Sequence, residues 1–319
     1  MKSFYLGFIL AFFVLGFSQA CNDNDPNQPN DFVKGQNRFT LISESTEREY
    51  YVHVPEGYTG DTPTPVVFML HGTSGNGLDM WERSGWKEVG EAKNILTVYP
   101  SSLRYCIIDP VDGQKTTTKW NSQPAEWTFC ASETPRDDVK FLTAVIEEVK
   151  ARFNVDSKKI YLVGFSNGGQ MAAKCTILMS DLFAGIVENA GSFTLDTTYV
   201  PLRKLPTTFQ LGNEDYGPGN TGPEIFLSRI DEVLHNPDFL PGRASNTHVK
   251  SFGLSSDYVV TGDTNSVVIA TYPSLTSGSP NDYRFVFVKG LGHAYPNGTN
   301  HWMEAAPLHW DWLKQFSLP

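Results

Sequence analysis

The sequence predicts an α/β protein, with one mostly parallel central sheet covered by helices on both faces. Three features carry that expectation. Apolar runs such as "TPVVFMLHG", "NILTVYP" and "YRFVFVKG" lack the alternation of a half-exposed strand, so they read as strands buried on both faces. Between them lie stretches with apolar residues at helical spacing. No linker or internal repeat interrupts this alternation, so residues 38–319 are expected to form one domain.

In chain order, "RFTLIS" and "REYYVHVP" read as two strands joined by a turn at Glu44-Ser45-Thr46. "TPVVFMLHG" follows and ends in the glycine-rich loop "HGTSGNG"; a helix over 78–92 and the strand "NILTVYP" come next. Residues 101–134 break the rhythm and are expected to be irregular. "RDDVKFLTAVIEEVKARF" has helical spacing, with Asp137 and Asp138 suited to capping its first turn. "KIYLVGFS" is the next strand and "NGGQMAAKCTILMS" the next helix. "LFAGIVENAG" and "LPTTFQLGNED" supply two more strands. A helix around 225–234, an inserted hairpin between His248 and Tyr272, the strand "YRFVFVKG" and a helix near 302–316 complete the chain.

The first residues, "MKSFYLGFILAFFVLGFSQAC", place one lysine before an apolar stretch of about 15 residues, too short for a spanning helix. With small residues at Ser18 and Ala20, residues 1–20 read as a secretory signal. Cys21 and the polar "NDNDPNQPND" then resemble the lipidated cysteine and tether of a bacterial lipoprotein, so residues 21–37 are expected to be a tether anchored at Cys21. Ser18 departs from the large apolar residue usual three places before that cysteine. A secreted or envelope location follows. The 319 residues carry a net charge of -10, which argues against nucleic-acid phosphates and against charge-driven adhesion to anionic lipid. Membrane contact is therefore expected only through Cys21. In an oxidising compartment Cys106 and Cys130, which bracket the irregular segment, are expected to pair, while Cys175 sits in a helix pattern as a buried thiol. No cysteine–histidine spacing suits a metal, and no metal or other cofactor is expected.

The chemistry centres on "GFSNG". A tight strand-to-helix turn lifts Ser166 clear of the sheet, beside the positive end of the following helix, which suits a nucleophile attacking a carbonyl. A serine hydroxyl needs a base. Of seven histidines, His293 in "GLGHAYPNG" follows the last strand in a glycine-flanked loop at the same sheet edge. His53 and His71 read as packing and backbone-positioning residues, His235 and His248 have no supporting context, and His301 and His309, in or near the last helix, read as a solvated or packed face. A carboxylate to orient the imidazole should follow the strand "PTTFQLG". Asp215 is the choice there, with Glu214 the competitor. The N–H groups of Asn167 and Thr73, with Ser74 next to it, are the expected oxyanion donors. The order Ser, Asp, His is that of α/β-hydrolases.

"VVFMLHG", "KWN" at 119–121, "RDDVKFLTAVIEEVKARFNVDSKKIYLVGFSNGGQMA", "FAGIVENAG" and "GLGHAYPNG" occur in the order found in one group. The chain, over about residues 38 to 316, resembles the polyhydroxybutyrate-depolymerase-like and feruloyl-esterase-like serine esterases of carbohydrate esterase family one. That resemblance implies a secreted, cofactor-free α/β-hydrolase with Ser166, Asp215 and His293 as its triad. Three departures bear on substrate: no cysteine follows His71-Gly72, Tyr295 stands where tryptophan is common, and the hairpin before the last strand is long. Trp120, Trp127, Tyr295 and Trp302 are candidates to line an aromatic cleft, with Trp120 and Tyr295 the named substrate contacts. With no adsorption module visible, the expected substrates are feruloyl or acetyl esters on plant polysaccharide. Solid polyester is the alternative, and a carbohydrate-binding surface protein without catalysis is the alternative from another class.

Overall fold

The computed structural model describes residues 32–109, 111–122, 129–215 and 223–319. The signal segment, Cys21, the tether before Phe32 and Trp127 lie outside the described residues. Phe32–Pro319 forms one compact unit.

The main sheet has ten strands, β1 (Gly35–Ser43), β2 (Thr46–Val54), β3 (Thr64–Leu70), β4 (Leu96–Pro100), β7 (Val155–Phe165), β8 (Gly185–Asn189), β9 (Thr207–Gly212), β10 (Val259–Asp263), β11 (Val267–Tyr272) and β12 (Tyr283–Val288). A separate hairpin holds β5 (Arg104–Asp109) and β6 (Gly113–Thr118). Strand order is β1-β2-β4-β3-β7-β8-β9-β12-β11-β10. The six strands from β4 to β12 are mutually parallel, and antiparallel strands extend the sheet at both ends. From β3 the chain steps outward to β4 and later returns to place β7 on the other side of β3. The winding reverses between β3 and β7, where open α/β sheets bind ligands above their carboxyl ends.

Helices cover both faces as the buried strands require. Helices α3 (Asp138–Arg152), α4 (Asn167–Leu178), α5 (Ile230–His235) and α6 (Leu240–Phe252) pack on one face. Their Phe141, Met171, Val233 and Phe252 meet Phe68, Leu162 and Phe209 of the sheet. On the other face, α1 (Gly77–Arg83), α2 (Trp86–Lys93) and α7 (Ala305–Leu313) bring Met80, Trp86 and Trp310 against Val67, Tyr161 and Val187. Among the described residues, no helix is long and apolar enough to cross a membrane.

Four expectations need correction. The helix over 78–92 is two helices, because Ser84-Gly85 breaks it with Gly85 in the left-handed region at φ 79°. Residues 101–134 are not irregular throughout, since β5 and β6 pair from Arg104↔Thr118 to Asp109↔Gly113. The hairpin between His248 and Tyr272 is no insertion. Its strands β10 and β11 continue the sheet beyond β12, and His248 belongs to α6. Asp138 does not cap α3. Asp137 does, accepting from the N–H groups of Val139 and Lys140, while Asp138 turns inward to Arg48 Nη2 at 2.7 Å and the Asn121 N–H at 2.7 Å.

Cys106 and Cys130 form a disulfide with Cα atoms 5.4 Å apart. Closing that loop stabilises the fold by about 3 kcal/mol in the chain-entropy account and staples the hairpin. Cys175 is buried and free, and burial pushes its thiol pKa up, which keeps it inert.

Candidate active site

Ser166 stands between β7 and α4 with φ 56° and ψ -121°, a strained conformation for a residue with a side chain. Contacts on both sides impose it. The Ser166 N–H donates to Asn189 O at the end of β8 (2.8 Å), and Ser166 O accepts from the Gln170 N–H (3.0 Å). The glycines of the pentapeptide make the turn possible. A Cβ on Gly164 would run into the backbone of Gly168, and one on Gly168 into the carbonyls of Leu70 and His71. The elbow therefore needs glycine where strand, helix and the β3 loop meet.

Asp215 and His293 reach Ser166 because β9 and β12 are parallel neighbours, with Gly212 paired to Val288. Their exits are tied together. Asn213 Oδ1 accepts from the Gly290 N–H (2.7 Å), and the Glu214 N–H donates to Leu291 O (3.1 Å). His293 Nδ1–H faces both oxygens of Asp215 at 2.9 and 3.0 Å, and Nε2 lies 2.8 Å from Ser166 Oγ. Phe165 packs against the imidazole at 5.2 Å between ring centroids. Asp215 is buried while Glu214 is exposed, so between the two acids it is Asp215 that faces the histidine.

The loop after β3 carries Thr73 and Ser74 to the opposite side of Ser166. His71 braces its base. Its Nδ1–H donates to Gly72 O (2.7 Å) and Nε2 accepts from the Ser102 N–H (2.9 Å), while burial holds its pKa down to about 4 and the ring neutral. The hairpin then clamps the loop, a role with no signal in the local sequence. The Ser74 N–H donates to Thr118 O (3.0 Å), Thr117 Oγ1 donates to Ser74 Oγ (2.7 Å) and Thr118 Oγ1 to Gly75 O (2.6 Å).

These residues open on a cleft of about 900 Å³ that includes Thr73, Ser74, Ser166, Asn167, Asp215 and His293. Its lining is mixed: Leu211, Ile225, Phe239, Leu240 and Phe287 are apolar, and Asp238 and Arg243 flank Phe239 and Leu240 in the chain. The hairpin adds Asp109, Asp112 and Lys115 to the lining. There Lys115 Nζ lies 2.8 Å from Asp109 and 2.7 Å from Asp112, and this contact holds the Asp109 carboxyl down to about 2.

Trp120 and Tyr295, expected as substrate contacts, do not line this cleft. Trp120 is fully buried beneath it, where its Nε1–H donates to His71 O (2.9 Å) and its N–H to Asn167 Oδ1 (2.7 Å). Tyr295 is buried behind His293. Its hydroxyl accepts from Trp86 Nε1–H (2.9 Å) and donates to His309 Nδ1 (3.0 Å), whose Nε2–H bonds Gln210 Oε1 (3.1 Å). Both rings anchor loops from below. Trp302 is exposed and also outside the cleft. Tyr295→Phe should therefore cost about 1–3 kcal/mol of stability, because two buried polar groups lose their partner. Urea unfolding measures this; a raised KM at unchanged stability would instead indicate a substrate contact.

A parallel sheet that reverses its winding beside a strained serine, followed in the chain by an acid and a histidine that meet it, defines the α/β-hydrolase fold. Solved structures agree at the level of fold: an acetyl xylan esterase from Aspergillus awamori superposes with a TM-score of 0.59 at 14% identity, covering 87% of this chain and 99% of that one. Residues 43–202 match the esterase family described as "Putative esterase", and the chain belongs to that family. Among curated relatives, feruloyl esterase B of Piromyces equi is 25% identical over 281 residues, which is 85% of this chain and 46% of that protein. The "Putative esterase NocK" of Nocardia uniformis subsp. tsuyamanensis is 28% identical over 170 residues, 53% of this chain and 45% of that one. The chain spans about half the length of the curated relatives it matches.

Proposed function

We propose that this chain is a serine esterase that hydrolyses carboxylic esters through an acyl-enzyme. The reading rests on one observation, the continuous bonding of Asp215, His293 and Ser166 at the floor of an open cleft. His293 Nε2 takes the Ser166 proton as Oγ attacks the ester carbon. The carbonyl oxygen becomes an oxyanion held by the N–H groups of Thr73 and Asn167. Collapse expels the alcohol, which receives the proton from His293, and water then repeats the sequence on the acyl-enzyme. Asn167 begins α4, so its N–H has no acceptor within the helix and is oriented before reaction, as the helix dipole favours.

The substrate class proposed is an ester of an apolar acid, such as a feruloyl group, or an acetyl group, on plant polysaccharide. Two features support it. The cleft combines apolar side chains with charged ones, which suits an ester with a greasy acyl side and a hydroxyl-rich carrier. A relative matched over 85% of this chain is named a feruloyl esterase. Export, with lipid attachment at Cys21, belongs to the same reading and rests on sequence alone. The test is fluorophosphonate labelling followed by hydrolysis of methyl ferulate, acetylated xylan and hydroxybutyrate oligomers. Labelling at Ser166 with faster turnover of the first two is expected. An unlabelled protein would be a binder rather than an esterase, and faster turnover of the oligomers would shift the substrate to polyester.

A further inference from the structure

The loop that offers Thr73 is braced from behind by a cation. Lys119 follows β6 and is fully buried, and its Nζ donates to Thr73 Oγ1 at 3.2 Å. Its backbone is fixed by a bond from its N–H to Leu103 O (3.0 Å). The residues on either side hold the same loop, Thr118 through Gly75 O and Trp120 through His71 O. Burying an ammonium costs several kcal/mol, whereas a methionine of similar length would fill the site without that cost. A charge kept against such a cost, touching the loop of a reaction that creates an anion, points to a role in that reaction.

We propose that Lys119 is a positioning residue of the oxyanion site: its ammonium holds Thr73 in place and adds a fixed positive potential where the tetrahedral oxyanion forms. This rests on ester hydrolysis at Ser166. The groups that bear on the ammonium include the Thr73 hydroxyl from the β3 loop, which it bonds, and the charges of Asp109 from β5 and Lys115 from β6. Desolvation is the largest influence and lowers the Lys119 pKa to about 7; Asp109 raises it and Lys115 lowers it further. The charge is thus complete below neutral pH, about half present at pH 7, and lost as pH rises further. Loss of the Lys119 charge therefore predicts a decline in activity on the alkaline side.

The test is the pH dependence of kcat and KM for p-nitrophenyl acetate in the wild type, Lys119→Met and Lys119→Arg, with folding followed by circular dichroism. In the wild type, kcat/KM should fall about 10- to 100-fold as pH rises from about 7 to about 9, reversibly. Lys119→Met should lose the same factor in kcat at neutral pH, with KM within about twofold, and show no alkaline decline. Lys119→Arg keeps its charge at every pH, so it should restore kcat and also lack the decline. A decline retained in Lys119→Met, or an unchanged kcat there, would overturn the proposal. If neither variant folds, the wild-type profile decides, because activity that stays level to about pH 9 is incompatible with it. Absence of both wild-type hydrolysis and Ser166 labelling would overturn the esterase reading and this proposal together. Hydrolysis that depends on Ser166 but ignores Lys119 would overturn this proposal alone.

Discussion

Replacing Ser166 with alanine should lower kcat on p-nitrophenyl acetate by on the order of 10⁴- to 10⁶-fold while leaving the fold intact. The size follows from what is removed. On the proposed mechanism no acyl-enzyme forms without Oγ, and the remaining rate comes from water acting in a cleft that keeps the proposed oxyanion donors. The fold survives because the elbow is set by backbone contacts, the Ser166 N–H on Asn189 O and Ser166 O on the Gln170 N–H, which alanine keeps. Alanine bears a Cβ, so the strain at φ 56° is unchanged. The side chain's one described hydrogen bond, to His293 Nε2, opens on the cleft, where water can replace it. The midpoint of thermal unfolding should therefore stay in place or rise slightly, as strained functional sites often allow. Activity near that of the wild type in a folded variant would mean that another group attacks.

The strands and the elbow were legible because their signals are local. A strand buried on both faces is a run of apolar residues, and "KIYLVGFSNGG" carries strand, turn and helix start within a dozen or so positions. His293 and Asp215 could be chosen by where strands end. Helix α6 escaped because its sequence, LPGRASNTHVKSF, is rich in poor helix formers. What holds it is burial of Ala244, His248 and Phe252 against the sheet, a tertiary gain that overrides propensity. The hairpin escaped because GQKTTT is a polar strand whose partners are β5 and the loop after β3, some forty residues earlier for Thr117 and Ser74. The misplaced aromatics have a different cause. A large aromatic residue suits a cleft wall and a core equally, and composition does not distinguish them. For Trp120 the distinction is made by His71 O and Asn167 Oδ1, acceptors that become neighbours only once β3, β7 and the hairpin have assembled.

Asp215→Asn carries the second large expected effect, a fall in kcat of about 10³- to 10⁴-fold, against little change for Glu214→Gln. Both acids lie in one tight turn, yet their surroundings differ. The Asp215 side chain is only 3% exposed, and both its oxygens point at His293 Nδ1. As an acceptor it keeps the proton on Nδ1 and leaves the Nε2 lone pair aimed at Ser166 Oγ. On the proposed mechanism it also balances the imidazolium formed once Nε2 takes that proton, in surroundings where charge is poorly screened. Asparagine fails on both counts. Its amide can donate to Nδ1, which moves the ring proton to Nε2 and blocks the base, and it carries no charge to stabilise the cation. The loss should appear in kcat with KM nearly unchanged, because on the proposed mechanism Asp215 acts through His293. Glu214 is exposed, and its link to the site is its backbone N–H on Leu291 O, which glutamine preserves. Steady-state kinetics on the two variants in parallel checks the assignment, and a larger kcat loss in Glu214→Gln would transfer the orienting role to the neighbouring residue.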